Sequence, residues 1–322
     1  MCNDNFDELH FEQLKKIIGW AYDKSLFYRN SFEKAGVKPA DFKTVDDIKK
    51  FPFLTLAELN REDSMDFLTL PLSNIVRINY VEDSDAGIDV ANFYTKDDVE
   101  KNVEMMTRCL QAAKIYRGSI VGVQGDLADS KFLDVIYALE SLGVTVIPLG
   151  NDYRRWIATL ENFSMDTLIS TPKLAVQLII QLQAVEKNIA DYPIRKIICL
   201  NTNNIQNPLQ THIEERTGAA VYNLFAPQEI GTAGIVFQCS NTSGHHVQED
   251  NFFVEIADFA SDKIFDDEHM GELVITTLTA QARPLIRYRT RQAVRRMDGV
   301  CTCGRKTLRL ATPFTKTVNL KD

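Results

Sequence analysis

Two thiols one residue apart, Cys301 and Cys303 in the stretch CTCGRK, stand out in a chain that has only six cysteines. A Cys-x-Cys pair offers two soft ligands to a metal ion, or else two small buried hydrophobes that never meet. The compartment bears on that choice. The N-terminus, MCNDNFDELH, is acidic and polar where a secretory signal needs a basic start and an apolar stretch, and no run of about 18 apolar residues follows. The expected location is the cytoplasm, where thiols stay reduced and paired cysteines are more often metal ligands than disulfides.

Composition limits the remaining functions. With 322 residues, 45% hydrophobic and 25% charged, the chain can bury one large core together with a smaller lobe. The net charge of −8 argues against a surface for polyanions, and the basic stretch RQAVRR is too short to reverse that. Neither nucleic acid nor membrane is an expected partner.

The elements that must position any site alternate along the chain. DELHFEQLKKIIGWAYDKSLFYRNSFEKAG has helical apolar spacing ending at Gly36, and predicts one or two leading helices. Thr95 with Asp98 predicts an N-cap for a helix reaching about Lys114. Then follow the strand SIVGVQ, a helix over about 130–142 closed by Gly143, the strand VTVIPL, a helix over about 153–163, and the strand TLIST. Thr171-Pro172 opens a further helix, since proline's missing N–H costs nothing at the first helical position. KIICLN, a helix ending at Gly218 and AAVYNLF complete the series. This order predicts an α/β fold with a mainly parallel sheet flanked by helices. Past about residue 235, FFVEIADF and GELVITTL predict antiparallel strands. The expected domains are therefore an α/β core over 1–235 and a smaller β-rich lobe over 236–322.

Three ordered stretches carry a family resemblance. FYRNSFEKAGVKPADFKTVDDIKKFPFLT resembles the opening of phenylacetate-CoA ligases and their coenzyme F390 synthetase relatives, among the adenylate-forming, AMP-binding enzymes. VYNLFAPQEIG lies where that family has a tyrosine-glycine-leucine-threonine/serine-glutamate motif, and GELVITTLTAQARPLIRYRT is similar to its later core motif. The resemblance implies the large N-terminal domain of such enzymes, and an activity that adenylates an aromatic carboxylate with ATP and magnesium, then passes the acyl group to CoA.

Its motifs carry over only in part. Where the family's Ser/Thr/Gly-rich phosphate loop would lie, this chain reads NYVEDSDAGIDVANFYT, with Glu82, Asp83, Asp85 and Asp89 and a single Gly87. Carboxylates repel a polyphosphate, so the stretch reads as a solvated acidic loop, with a magnesium-bridged phosphate site as the alternative. Glu229 matches the glutamate that places magnesium and ATP. Phe225 replaces the tyrosine that stacks on the base, and is equally well read as a core aromatic. Arg287, Tyr288, Arg289 and Thr290 are kept, while Gln292 stands where an aspartate would hold the ribose hydroxyls, leaving one acceptor atom in place of a carboxylate. The chain stops at Asp322 without the mobile C-terminal domain and its lysine, and neither Lys316 nor Lys321 has the matching context.

The resemblance also extends the thiol pair. In related ligases a cysteine before a Gly-Leu-His recurs together with a cysteine pair before Gly-Arg. Here QCSNTSGHHV supplies Cys239 and His246, with His245 as the alternative imidazole. Three thiolates and one imidazole are a closed tetrahedral set suited to structural zinc. Cys2, Cys109 and Cys199 lack such a context.

These readings predict a phenylacetate-CoA ligase-like protein impaired in catalysis, binding a small organic or aromatic carboxylic acid, with Glu229 and Arg289 as its tentative catalytic pair. A cavity is expected where Phe225, Glu229 and Arg289 meet. The alternative is an active aryl-CoA ligase using ATP, magnesium and CoA, completed by a partner domain; a structural or homodimer subunit is the weaker one.

Overall fold

The computed structural model describes residues 4–83, 87–150, 152–241 and 244–313. In chain order the helices are α1 (Asp4–Lys24), α2 (Leu26–Lys34), α3 (Leu56–Arg61), α4 (Lys96–Ala112), α5 (Ser130–Ser141), α6 (Tyr153–Asn162), α7 (Pro172–Ala184) and α8 (Gln210–Thr217). The strands are β1 (Arg77–Asp83), β2 (Ile88–Tyr94), β3 (Ile120–Val123), β4 (Thr145–Pro148), β5 (Thr167–Ser170), β6 (Lys196–Asn201), β7 (Ala220–Phe225), β8 (Val236–Phe237), β9 (His245–Val247), β10 (Phe252–Ala257), β11 (Gly271–Thr277), β12 (Tyr288–Met297) and β13 (Arg309–Ala311). No helix among the described residues is long and apolar enough to cross a membrane.

Contacts group the chain into two compact units, the first drawn from Met1–Lys101, Gln228–Gly231 and His246–Thr317, and the second from Asn102–Pro227 and Thr232–His245. The second unit is the α/β alternation. Its strands lie in the order β8-β7-β6-β5-β3-β4, parallel at every pairing except β7 with β8. All of β5 is buried, as a strand covered on both faces must be. Leu168, Ile197 and Val221 of the sheet pack with Trp156, Leu178 and Ile213 of the helices. The caps are those the sequence predicts: the Thr171 hydroxyl accepts from the Leu174 amide at 3.3 Å, and Gly218 closes α8 with φ of 67°.

Lys131, at the start of α5, is 8% exposed and pairs with its N-cap residue Asp129. Burial pushes its ammonium down to about 8. The folded chain therefore binds fewer protons here than the unfolded one between about pH 8 and the ordinary lysine value near 10.5, and linkage makes this site's contribution to stability rise with pH across that window. Replacing Lys131 by Met should remove that rise, visible as a melting-temperature gap between wild type and variant that narrows from pH 8 to pH 10.

In the first unit the leading helices pack on the late strands. Leu14, Tyr28, Phe32, Phe51 and Phe67 share one core with Ile88, Leu285 and Tyr288. Backbone bonds fix the segment after α2: the Leu54 amide donates to Arg287 O at 3.0 Å and Leu54 O accepts from the Arg289 amide at 2.9 Å. The Tyr28 hydroxyl takes the Ile286 amide at 2.8 Å. Strands β10, β11, β12 and β13 pair antiparallel in sequence.

The acidic stretch is not a loop. Arg77–Asp83 and Ile88–Tyr94 pair antiparallel, so Glu82 and Asp83 stand on β1 and Asp89 on β2, with Glu82 directly opposite Asp89. Charge hides the period-2 pattern that Ile88, Val90 and Tyr94 make on their buried face. The Tyr80 hydroxyl donates to Asp89, and Gln228 Nε2 donates to Asp83 at 3.2 Å. Asp85 lies outside the described residues, as do Cys2, Lys316 and Lys321.

Candidate ligand site and metal centre

Glu229 sits on a single 3-10 turn, Gln228–Ile230, and is 2% exposed. Three side chains hold that turn by its backbone. Asn92 Nδ2 donates to Gln228 O at 3.0 Å, the Tyr94 hydroxyl to Gly231 O, and Arg283 Nη2 to Glu229 O. Gly231 has φ of +75°, and a Cβ there would fall 2.4 Å from the Tyr94 hydroxyl oxygen and 2.6 Å from Asn92 Cγ. Only glycine fits. The Glu229 carboxylate accepts from the Tyr288 hydroxyl at 2.7 Å and from Arg291 Nη2 at 3.2 Å. Burial, reinforced by the Glu229 charge, pushes the Tyr288 phenol well above its ordinary value, so it stays a donor.

Arg291 leads from this carboxylate to a cavity of about 540 Å³ that it lines with Thr55, Asn60, Gly87, Glu272 and Arg289. A register shift between Glu272 and Val274 aims it. At the shift Arg291 takes φ of 63°, and Glu272 accepts both the Arg291 amide at 2.7 Å and Arg289 Nε at 2.8 Å. Asn60 ties α3 to the hairpin through Gly87 O at 2.6 Å and the Asp89 amide at 3.2 Å.

The residues singled out from sequence meet different fates. Arg289 does reach the cavity, with its guanidinium engaged by Glu272, by Asp258 O at 2.6 Å and by the Phe53 ring at 4.9 Å. Arg287 forms a two-point pair with Glu255 at 2.9 Å, buried under the same ring. Phe225 is 0% exposed, a core aromatic at the end of β7. Gln292 follows Arg291 on β12 and is half-buried. Sequence reasoning missed Asn92, Arg283 and Arg291. Asn92 and Arg283 lie inside the stretches NYVEDSDAGIDVANFYT and GELVITTLTAQARPLIRYRT without a residue type or spacing that sets them apart, and Arg291 stands between the kept Thr290 and Gln292.

The cysteine pair lies beside His246. Within the first unit, Cys303 Sγ lies 3.4 Å from His246 Nε2, and Cys301 O accepts the Gly304 amide at 2.9 Å in the turn that carries both cysteines. The ligand atoms of His246, Cys301 and Cys303 lie within 4.8 Å of one another, against about 3.8 Å for neighbouring sulfurs on a tetrahedral zinc. Cys239 Sγ accepts the Asn241 amide and donates to Asn241 O, both at 3.3 Å. Thr307 Oγ1 meets His246 Nδ1 at 3.0 Å, which leaves Nε2 to face the sulfurs. Burial, then Arg305 and Arg309, push the imidazole down to about 4, so it is neutral at physiological pH. A neutral imidazole beside the buried Cys301 and the half-buried Cys303 fits a divalent metal.

The fold defines the class first. Solved structures of 2-hydroxyisobutyryl-CoA ligase superpose with TM-scores of 0.85 and 0.86 at 20% identity, covering 94% and 96% of this chain and 73% and 67% of theirs. The chain has the fold of the adenylate-forming CoA ligases. Among curated proteins it is 29% identical over 312 residues to the phenylacetate-coenzyme A ligase of Escherichia coli, covering 96% of this chain and 71% of that one. It is 28% identical to the enzyme of the same name from Pseudomonas putida, over 92% of this chain and 68% of the relative. No family model matches. The chain is thus a homologue of phenylacetate-CoA ligases along nearly all its length.

Proposed function

We propose that this chain is a phenylacetate-CoA ligase-like protein that binds an organic, aromatic carboxylate, and in which adenylation is impaired. One observation carries the second half of that reading: the hairpin of β1 and β2 sets Glu82 opposite Asp89, with Asp83 beside them, where the resemblance puts the phosphate loop. Carboxylates on facing strands raise the electrostatic cost of a triphosphate rather than lower it. Gln292 in place of the ribose aspartate acts in the same direction. The acid-binding half draws on the cavity lined by Arg289 and Arg291 and on the retained Glu229–Tyr288 pair.

The competing reading, an active aryl-CoA ligase using ATP, magnesium and CoA, draws on the identity to enzymes of that name. Isothermal titration separates the two. Phenylacetate and related aryl acids should bind, and ATP with magnesium should bind weakly or not at all. Tight ATP binding accompanied by adenylate formation would decide for the active ligase.

For the metal centre we propose one zinc ion held by Cys239, His246, Cys301 and Cys303. All four positions would be protein ligands, so the ion would brace the fold and take no part in the chemistry.

A further inference from the structure

Four arginines crowd Glu229 and the start of β12, and three of them have a carboxylate. Arg287 pairs with Glu255, Arg289 with Glu272 and Arg291 with Glu229. Arg283 pairs with no carboxylate among the described residues. It is 6% exposed, its Nη2 donates only to Asn92 Oδ1 and Glu229 O, and its buried Nη1 has no hydrogen-bond partner among the described residues. Burial pushes this guanidinium below its ordinary range even with Tyr94, Tyr28, Tyr288 and Glu229 nearby.

Buried charges in folded proteins are normally paired, and every donor left unmade in a low-dielectric setting is costly. With Glu229 paired to Arg291, the positive charge of buried Arg283 has no carboxylate partner of its own among the described residues. A monoanion cancels it, whereas a dianion beside the Glu229 carboxylate overshoots. Only Nη1 of Arg283 still has donors to offer, so the match is a single charge-assisted bond rather than a two-point fork.

We infer that Arg283 is the anchor for the carboxylate of a monocarboxylic acid bound beside Glu229. This rests on the acid-binding reading above, and moves the anchor from Arg289, whose charge Glu272 already answers. Arg291, half exposed and shared between the cavity and Glu229, marks the side from which the acid enters.

The test uses the whole chain with two probes at constant ionic strength. Acetate reports the anion position alone, through its effect on the melting temperature. Phenylacetate, compared with phenylacetamide by titration calorimetry, reports the acid site. Wild type should be stabilised by acetate, and should bind phenylacetate at least about tenfold more tightly than the amide, the worth of one charge-assisted hydrogen bond. Arg283→Met should lose both effects and Arg283→Lys should keep most of them; the wild-type comparison of acid with amide stands even if the Met variant does not fold. Stabilisation by acetate in wild type only, with no phenylacetate binding, upholds the anion position and overturns the aromatic-acid reading. An acetate response that is absent in wild type, or unchanged in Arg283→Met, overturns the inference.

Discussion

With ATP, magnesium and a panel of aryl carboxylates, pyrophosphate release by this chain is expected to run about a thousandfold slower than by the Escherichia coli phenylacetate-CoA ligase. Two departures act on the nucleotide independently. The hairpin sets Glu82, Asp83 and Asp89 where the resemblance puts the phosphate loop, and Gln292 stands where it puts the ribose aspartate, with a single acceptor atom. If each removes about 2 kcal/mol of transition-state stabilisation, the product is roughly three orders of magnitude in rate. Gln292→Asp should recover about tenfold of it, because an ionised acceptor is the stronger partner. Turnover by wild type at the rate of the relative would sink this account, and recovery by the Asp variant would separate the ribose contribution from that of the hairpin.

Removing metal is expected to have the largest effect on stability. Purified protein should contain about one equivalent of zinc, and chelation should lower the melting temperature by about 5 °C, corresponding to about 3 kcal/mol in a chain of this size. The reason is the length of chain the site closes: His246 and Cys303 are 57 residues apart in sequence. Cys301→Ser should lose both the zinc and the stability, whereas Cys199→Ser, buried in β6, should keep its zinc. Protein free of metal after purification without chelator, with a melting temperature indifferent to added zinc, would leave the four residues as a buried thiol cluster.

Much of the fold was legible because its signals are local. Thr95 and Asp98 bond each other's amides at 3.1 and 2.9 Å as their spacing predicts, and Gly143 and Gly218 end their helices with φ of 70° and 67°. A cap needs only the next turn of chain to form, so four residues of sequence suffice to read it. The hairpin of β1 and β2 was not legible, because its acidic residues suggested a solvated loop and its partners face each other across a turn. Glu229 could be picked out by its place in a motif. Its surroundings could not, since Asn92 and Arg283 lie 191 residues apart in sequence and Tyr288 lies 59 residues from Glu229.

Sequence alone, then, determined the α/β alternation, the family resemblance and the identity of His246, Cys301 and Cys303, whose ligand atoms lie within 4.8 Å of one another. Tertiary structure decided what each charge does. Arg289 is a sound choice by residue type, yet Glu272 reaches it at 2.8 Å from a strand that only pairing brings alongside, while Arg283, which nothing in its stretch sets apart, is buried without a carboxylate among the described residues. An ion pair depends on distance and on the exclusion of water, and neither is set by neighbours in the chain. For the same reason the helices of the first fifty residues had to fold before their place was known: Leu54 bonds Arg287 and Arg289, and the apolar faces of α1 and α2 find their cover in strands at the far end of the sequence.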